Sequence, residues 1–570
     1  MLGRSRRARR KVSTILRGIF SWAVWLGCGL SLSAAAQSGS QFQPESAANV
    51  DVVCSTCHKE IYDSYQRTPM SRASGPAADG LLSGDFTHST SGIHYRLVLR
   101  GNQAFLQYDR ISKDENRSLH GEKKLIYYIG SGKRGRTYLF QTDGYWFEAP
   151  VNWYSKQGVW DMAPNYGHAK QMPFTLPVDA GCLHCHASDV QTSLSGSRNH
   201  FSGAPFLHSG ITCEACHGDP AAHLAKSGHG PILNPARMPP ARRDFVCLQC
   251  HLEGETSINR LGRSLANYRP GDDLYRDVVY FVRKGEVGSN GRAASQWEAL
   301  LQSACKLKSG DSLPCTTCHD AHSRPTAEQR ADYYRGKCLA CHSGVKFSEQ
   351  HHPEQRDCTL CHMPREKSED IAHEQVTDHR IQKRPHPVVR MSDSENFEIV
   401  PIGGGVADAR DLGLAYAQFA EHGNQAAGEH AMRLLQQAEH QEPLGTKDPD
   451  LHTELGFLDQ MSGNVPAAEQ EYRAAITMAP LDSAAAGDLA VLLARSGRIS
   501  EAVPLWRNAF EQNPDIPAAG FDLAVGYCTT GEPHEAALTL QRVLKFSPDD
   551  EKARQLLQNI ASGSQSCTRK

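Results

Sequence analysis

The most regular pattern in this chain lies in its C-terminal part, where apolar and small positions recur every 34 residues. Leu455-Gly456, Gly463, Ala468, Tyr472, Ala475 and Pro480 form one register. Leu489-Ala490, Gly497, Ala502, Trp506, Ala509 and Pro514 form the next, and Leu523-Ala524, Gly531, Ala536, Leu540, Val543 and Pro548 a third. The spacing predicts helical hairpins. Small residues stand where two helices approach closely, a larger residue fills the groove between them, and a proline ends the unit. Residues 410–440 read as a degenerate first unit and Glu551 to Ile560 as a capping helix. Such units stack into a superhelix with a concave face and seldom catalyse anything.

A period of two marks residues 86–160. Tyr95-Arg96-Leu97-Val98-Leu99 and Leu125-Ile126-Tyr127-Tyr128 read as strands, with turn signals at Gly101-Asn102 and Asp143-Gly144. Tyr138, Tyr145, Trp146, Phe147, Trp153, Tyr154 and Trp160 cluster here. They predict the core of a small β-rich insert, with a face that packs on a cofactor or docks a partner as the alternative. Between this core and the repeats, residues 366–407 read as a linker, with Pro385, Pro387, Pro401 and Gly403-Gly404-Gly405.

One apolar run stands apart, from Gly18 to Leu32. Arg4, Arg6, Arg7, Arg9, Arg10, Lys11 and Arg17 precede or enter it, and Ala34-Ala35-Ala36 follows. Basic flank, short apolar run and small-residue site are the parts of an export signal, so 1–36 is read as a signal peptide and 37–50 as a polar leader. The protein is then periplasmic or otherwise extracytoplasmic. Retention as an anchor is the alternative, and the only route to membrane association. Cys28 as a lipoprotein site has a poor lead-in in Trp25-Leu26-Gly27.

Composition is ordinary for a globular protein, with 39% apolar and 22% charged residues. Loss of the seven basic signal residues takes the formal charge from −2 to about −9. From Gly405 onward there are 23 acidic and 13 basic residues, which argues against a nucleic-acid partner.

Cysteine changes the picture. Fourteen of the 18 lie in seven tracts of the form C-x-x-C-H. The tracts hold Cys54, Cys57 and His58; Cys182, Cys185 and His186; Cys213, Cys216 and His217; Cys247, Cys250 and His251; Cys315, Cys318 and His319; Cys338, Cys341 and His342; and Cys358, Cys361 and His362. This is the attachment signature of c-type haem. The two thiols reach the two vinyl groups of one porphyrin, and the next residue offers an imidazole nitrogen to the iron. Disulfide frameworks do not require histidine after every second cysteine. Zinc sites take C-x-x-C pairs two at a time or with a distant histidine, and seven tracts would leave one unpaired. The sequence therefore predicts seven covalently attached haem c groups on residues 51–365. Cys305, Cys528 and Cys567 lie outside the tracts, without an assigned pairing, and Cys528 reads as packing within a repeat helix.

A haem with two axial side chains suits electron transfer, whereas an iron with an open position suits catalysis. Fifteen further histidines precede residue 390. The candidate distal ligands are His223, shortly after the third tract; His322, three residues after His319; His379; His208; and His352. His351, His386, His168, His184, His88 and His94 are further candidates, and Met70 or Met172 could replace histidine at one site.

The repeats resemble the tetratricopeptide repeat. Residues 51–390 resemble multihaem cytochromes c that carry such repeats, related to the tetrahaem cytochrome of ammonia oxidation and more distantly to pentahaem nitrite reductase. The resemblance rests on Cys54 to Met70, Ile129-Gly130-Ser131-Gly132 with Gly135-Arg136-Thr137-Tyr138, Cys213 to Gly218, Cys247 to Glu253, Cys315 to His322, and Cys358 to Pro364 with Thr377 to Ile381. It implies distal roles for His223 and His322, and a similar one for His379. The nitrite reductases hold their catalytic haem by C-x-x-C-K, which does not occur here.

The expected fold is mostly α. A multihaem cytochrome domain with little regular structure and a small β-rich insert is followed by an α-solenoid over 408–562 and a tail at 563–570. The expected function is electron transfer along the haems, with the repeats docking a redox partner protein. The alternative is a haem-dependent reductase or oxidase of a small nitrogen or sulfur compound, with the isolated first haem, near Lys133, Arg134, Arg136 and Tyr138, as its open site. A third reading makes the repeats an assembly scaffold.

Overall fold

The computed structural model describes residues 51–112, 118–164, 166–284, 295–343, 355–365, 377–383, 397–441 and 447–563. The signal and leader, His351, His352, His386 and Cys567 lie outside the described residues.

The C-terminal helices are Ala409–Glu421, Gln425–Gln441, Pro449–Ser462, Val465–Met478, Ser483–Arg495, Ile499–Gln512, Pro517–Thr530, Pro533–Phe546 and Glu551–Ala561. They pack as successive hairpins. The 34-residue positions make this core: Leu455, Ala468, Tyr472, Leu489, Ala490, Ala502, Trp506, Leu523, Ala524, Ala536 and Leu540 are all buried. A Cβ on Gly456 would lie 2.7 Å from the Tyr472 ring, which explains why that position is small. Gly463, Gly497 and Gly531 have φ of 82°, 78° and 84°, the left-handed turn that ends a helix at little cost only in glycine. Cys528 packs against this core as expected and is disulfide-bonded as well.

The N-terminal part holds far more sheet than the small insert expected from sequence. Strands Gly84–His88, Ile93–Arg100, Gln103–Arg110 and Leu119–Leu125 form one antiparallel sheet. Ser74–Pro76, Tyr127–Ile129, Gly135–Thr142, Tyr145–Glu148, Val151–Tyr154 and Val159–Met162 form another. Ala187–Val190 pairs with Phe206–Ser209, and Thr256–Asn259, Val278–Arg283 and Ile399–Pro401 make a three-stranded sheet. The difference has a physical reason. Leu119–Leu125 carries Glu122, Lys123 and Lys124 and reads as polar, yet it is an edge strand whose ladder bonds come from the backbone of Gln103–Arg110. Tyr138, Trp146, Phe147 and Trp160 are core residues. Met172 packs with them.

The segment read as a linker ends in structure: Ile399–Pro401 pairs with Val278–Arg283, and Ile399 and Ile402 are buried. The repeats are not tethered loosely to what precedes them. Phe546, from the end of a repeat helix, joins the aromatic core of the sheets, edge-on to Tyr145 and Phe147 at 5.6 and 6.0 Å. Arg198 pairs with Asp515 at 3.0 Å, and the Tyr145 hydroxyl donates to the Glu511 carbonyl at 2.8 Å. At the other end of the array, Arg410 donates to the Asn259 carbonyl, and Ile258, Val279 and Phe281 share a core with Leu414, Ala415 and Leu435. Among the described residues no helix is long and apolar enough to cross a membrane.

Candidate functional site

Each C-x-x-C-H tract is built on a helical turn. The His58 amide donates to the Cys54 carbonyl at 2.8 Å, and the same bond recurs from His217 to Cys213, His319 to Cys315, His342 to Cys338 and His362 to Cys358 at 2.9 to 3.1 Å. Cys247 to His251 form the end of helix Pro240–His251, and Cys182 lies in the turn Ala180–His184, capped by Asp179. In a helical turn, positions i, i+3 and i+4 share one face. Both thiols and the imidazole of each tract are thus presented together. All fourteen thiols keep some solvent access. Burial pushes Cys182 up to about 12 and Cys216 and Cys338 up to about 11.

The tracts touch one another. The Cys185 thiol points to the Gln249 carbonyl and the Cys250 thiol to the His184 carbonyl, each at 3.9 Å, and Cys54 lies near Cys213, Cys247 near Cys315 and Cys338 near Cys358. The residues between the cysteines lock this arrangement. Gln249, in the fourth tract, accepts from His184 of the second at 3.0 Å and donates to the Ala215 carbonyl of the third at 3.1 Å. Asp51 accepts from the Cys213 amide at 2.9 Å and ties the first tract to the third.

Three tract histidines face a second imidazole. His58 and His223 have ring centres 6.4 Å apart with planes 15° from parallel. For His217 and His322 the values are 6.0 Å and 13°, and for His319 and His379 6.2 Å and 28°. An imidazole nitrogen sits about 2 Å from a metal it binds. With the ring centre roughly 1 Å further back, two imidazoles on opposite sides of one iron have centres about 6 Å apart. The three pairs match that span. The Nδ1 atoms of His217, His223 and His379 bond the carbonyls of Leu233, Gly230 and Thr377 at 2.7 to 3.0 Å. His362 does the same toward Gln382 at 2.8 Å. Nδ1–H donation to a carbonyl fixes the tautomer and leaves Nε2 with its lone pair free for a metal. Burial holds His319 down at about 4, with His379, Arg324 and His251 adding to it, and also lowers His251, His322 and His379. Neutral imidazole is the form that ligates. The donor sets therefore fit a haem held by two thioethers and two imidazoles.

The remaining candidates fall elsewhere. His208 pairs with Asp189 at 3.1 Å. His88 bonds Ser91 and the Gly167 carbonyl, and His94 bonds Asp85. His184 is engaged by Gln249. None of these faces a tract histidine. The first tract, singled out from sequence as the open site, has His223 opposite. Tyr334, which drew no notice in the sequence, lies edge-on to His319 at 5.9 Å. Nothing local marks it; only the folding of helix Arg330–Leu339 brings it there.

Comparison with known proteins divides along the same line. Two tetratricopeptide-repeat profiles match residues 493–560 and 462–506, and the chain carries a repeat domain of that kind. A profile described as cytochrome c554 and c-prime matches residues 159–218, which include the second and third tracts. The C-type polyheme cytochrome OmcB of Geobacter sulfurreducens is 28% identical over 155 residues, 25% of this chain. This chain thus spans about a fifth (20%) of the length of the curated relatives it matches. Solved structures of MamA share 22% identity over 28% of this chain and 88% of theirs, at a TM-score of 0.24. YrrB, described as a TPR protein with an unusual peptide-binding site, shares 20% over 26% of this chain and 71% of its own, at 0.22.

Proposed function

We propose that this protein is an extracytoplasmic c-type cytochrome with seven covalently bound haems, and that it carries electrons to or from a redox partner docked through its repeats. The single observation that carries the reading is the set of three parallel imidazole pairs, each one tract histidine and one partner, spaced 6.0 to 6.4 Å. Bound haem supplies one-electron exchange between ferric and ferrous iron.

The chain's own residues do the rest. The paired thiols of each tract form thioethers that fix one porphyrin without further binding energy. His58, His217 and His319, with His223, His322 and His379, close both axial positions at three irons. Carbonyls of Leu233, Gly230 and Thr377 hold the imidazoles in one tautomer and one orientation. Gln249, between the second, third and fourth tracts, and Asp51, between the first and third, keep neighbouring sites close. That closeness is what a carrier needs and a set of isolated catalytic sites does not. The match to part of a polyhaem cytochrome supports the same class.

A second reading has a specific observation in its favour. Among the described residues no second imidazole ring faces His251, although burial desolvates it. If one haem is open to a small nitrogen or sulfur compound, the fourth tract is the place for it. Carbon monoxide added to the fully reduced protein separates the readings. The carrier reading expects a spectrum unchanged by the gas. Stoichiometric binding of the gas at one haem of the wild-type protein would support the reductase or oxidase instead.

A further inference from the structure

Three side chains able to ligate a metal meet where the first, degenerate hairpin packs on the first regular repeat. Glu439 lies in the last turn of Gln425–Gln441, His452 in the first turn of Pro449–Ser462, and Glu471 in the middle of Val465–Met478. One donor atom from each lies within 4.8 Å of those of the other two. His452 is buried and both glutamates are half-buried, so the three are not a solvated surface patch.

The helices that carry them are fixed in place. Asp448 accepts from the Leu451 amide and pairs with Arg410, and this buried pair holds the first turn in which His452 stands. One turn later Gly456 lies against the ring of Tyr472, the neighbour of Glu471 in sequence. The two backbones therefore approach closely, and His452 Nδ1 stands 2.7 Å from Glu471 Oε2. No arginine or lysine shares the site. Among the described residues Glu439 has no ion pair, and the ion-pair partner of Glu471 is His452. Arg473, two residues further on, is engaged with Glu469 and Glu501 instead.

One imidazole and two carboxylates form a donor set of the zinc class. Zinc holds such nitrogen and oxygen atoms at about 2.0–2.2 Å, which sets them about 3.4 Å apart around one tetrahedral ion. The 2.7 Å contact has to open a little, and the longer separations, none above 4.8 Å, have to close a little. Rotamer changes of the two glutamates supply that movement without a shift of any helix.

We propose that Glu439, His452 and Glu471 bind a divalent transition-metal ion of the zinc class, which clasps the first hairpin to the first regular repeat. The ion takes the place of the hydrogen between His452 Nδ1 and Glu471, and the imidazole then carries its single hydrogen on Nε2. Two carboxylates balance the charge of the ion, and water fills its fourth position. Magnesium and calcium are disfavoured, because they take oxygen donors in preference to imidazole. No residue of a C-x-x-C-H tract enters the site, so it stands apart from the function proposed above.

The test uses the full-length, haem-loaded protein. Wild type, Glu439→Gln and Glu439→Gln/Glu471→Gln are incubated with zinc chloride and desalted, and zinc and iron are counted per chain by plasma mass spectrometry. Wild type is expected to retain one zinc more than either variant, at equal iron content, and excess magnesium should not displace it. Zinc should also raise the thermal midpoint of the helix signal in wild type, since it binds the folded state. It should raise that midpoint less in Glu439→Gln, which keeps the bond between His452 and Glu471 and so folds as wild type does without the ion. Equal zinc in wild type and both variants, or a wild-type midpoint that zinc leaves unmoved, would overturn the proposal. The three residues would then be a hydrogen-bonded pair beside a carboxylate. Displacement by magnesium would overturn the class of ion. Missing haem iron with the zinc difference intact would count against the proposed function and not against this site.

Discussion

Arg110, at the end of a strand, and Asp549, 439 residues later in the turn before the last helix, form a buried two-point ion pair. The guanidinium is 9% and the carboxylate 1% exposed. Asp549 accepts from the Met172 amide as well, at 3.0 Å, so one carboxylate joins a strand of the four-stranded sheet, the loop after Val159–Met162 of the other sheet, and the repeats. The repeat array is therefore part of the same folded body as the sheets, and its edge at Asp515, Phe546 and Asp549 is already occupied.

Asp549→Ala leaves the Arg110 charge buried without its partner, which typically costs about 3–5 kcal/mol. The expected outcome is a lowered thermal midpoint together with faster proteolysis of the repeats. A variant as stable and as resistant as wild type would show that the array docks without this pair. For the same reason, removal of residues 408–570 uncovers Phe147 and Phe281 and is expected to unfold the remainder rather than release a working half.

His223→Ala opens one axial position opposite His58. The expected change is a high-spin ferric signal at one haem and carbon monoxide binding at that haem after reduction, with the other sites unaltered. His208→Ala is expected to change neither, because His208 is engaged with Asp189 instead. Electron paramagnetic resonance on the oxidised protein reads both.

Gly456→Ala places a methyl group 2.7 Å from the Tyr472 ring. Overpacking of this kind typically costs about 1–3 kcal/mol. Thermal unfolding followed by the far-ultraviolet helix signal should show a lower midpoint, and restoring room with Gly456→Ala/Tyr472→Leu should recover part of it.

The repeats carry a pH signature. Burial, reinforced by Glu421, Asp450 and Asp488, raises Glu454 to about 8, and burial with Asp482 and Glu421 raises Asp488 to about 6. Both carboxyls hold protons in the folded state that the unfolded chain has released. Their burden on stability is absent below the ordinary carboxylate pKa and grows as pH rises toward the folded value. Glu454→Gln should thus leave stability nearly unchanged near about pH 4 and raise it near about pH 8.5. The gain is on the order of 1–4 kcal/mol, since one unit of pKa is worth about 1.4 kcal/mol. A gain that is equal at both pH values would contradict the assignment.

How much of this was legible in the sequence depends on the reach of each interaction. The hairpins of the repeats are local, and Leu455, Gly456, Ala468 and Tyr472 announce them through spacing alone. The tract turns are local too, because each is closed by a backbone bond from its histidine to a residue three or four positions earlier. The facing of His58 by His223 is a tertiary event. Sequence could nominate His223 from its place after the third tract, but not the first tract as its counterpart. His208 looked equally well placed and instead meets Asp189, across the paired strands that carry both. The sheets were underread because strands such as Leu119–Leu125 hold their place by backbone bonds at an edge and need few apolar residues.

Mass spectrometry of mature protein, made in a host that attaches haem c and digested for peptide mapping, tests the central claim most directly. The account predicts seven haem additions, one on each peptide bearing a C-x-x-C-H tract, and none elsewhere. Tract peptides carrying free thiols, disulfides or zinc in place of haem would contradict it.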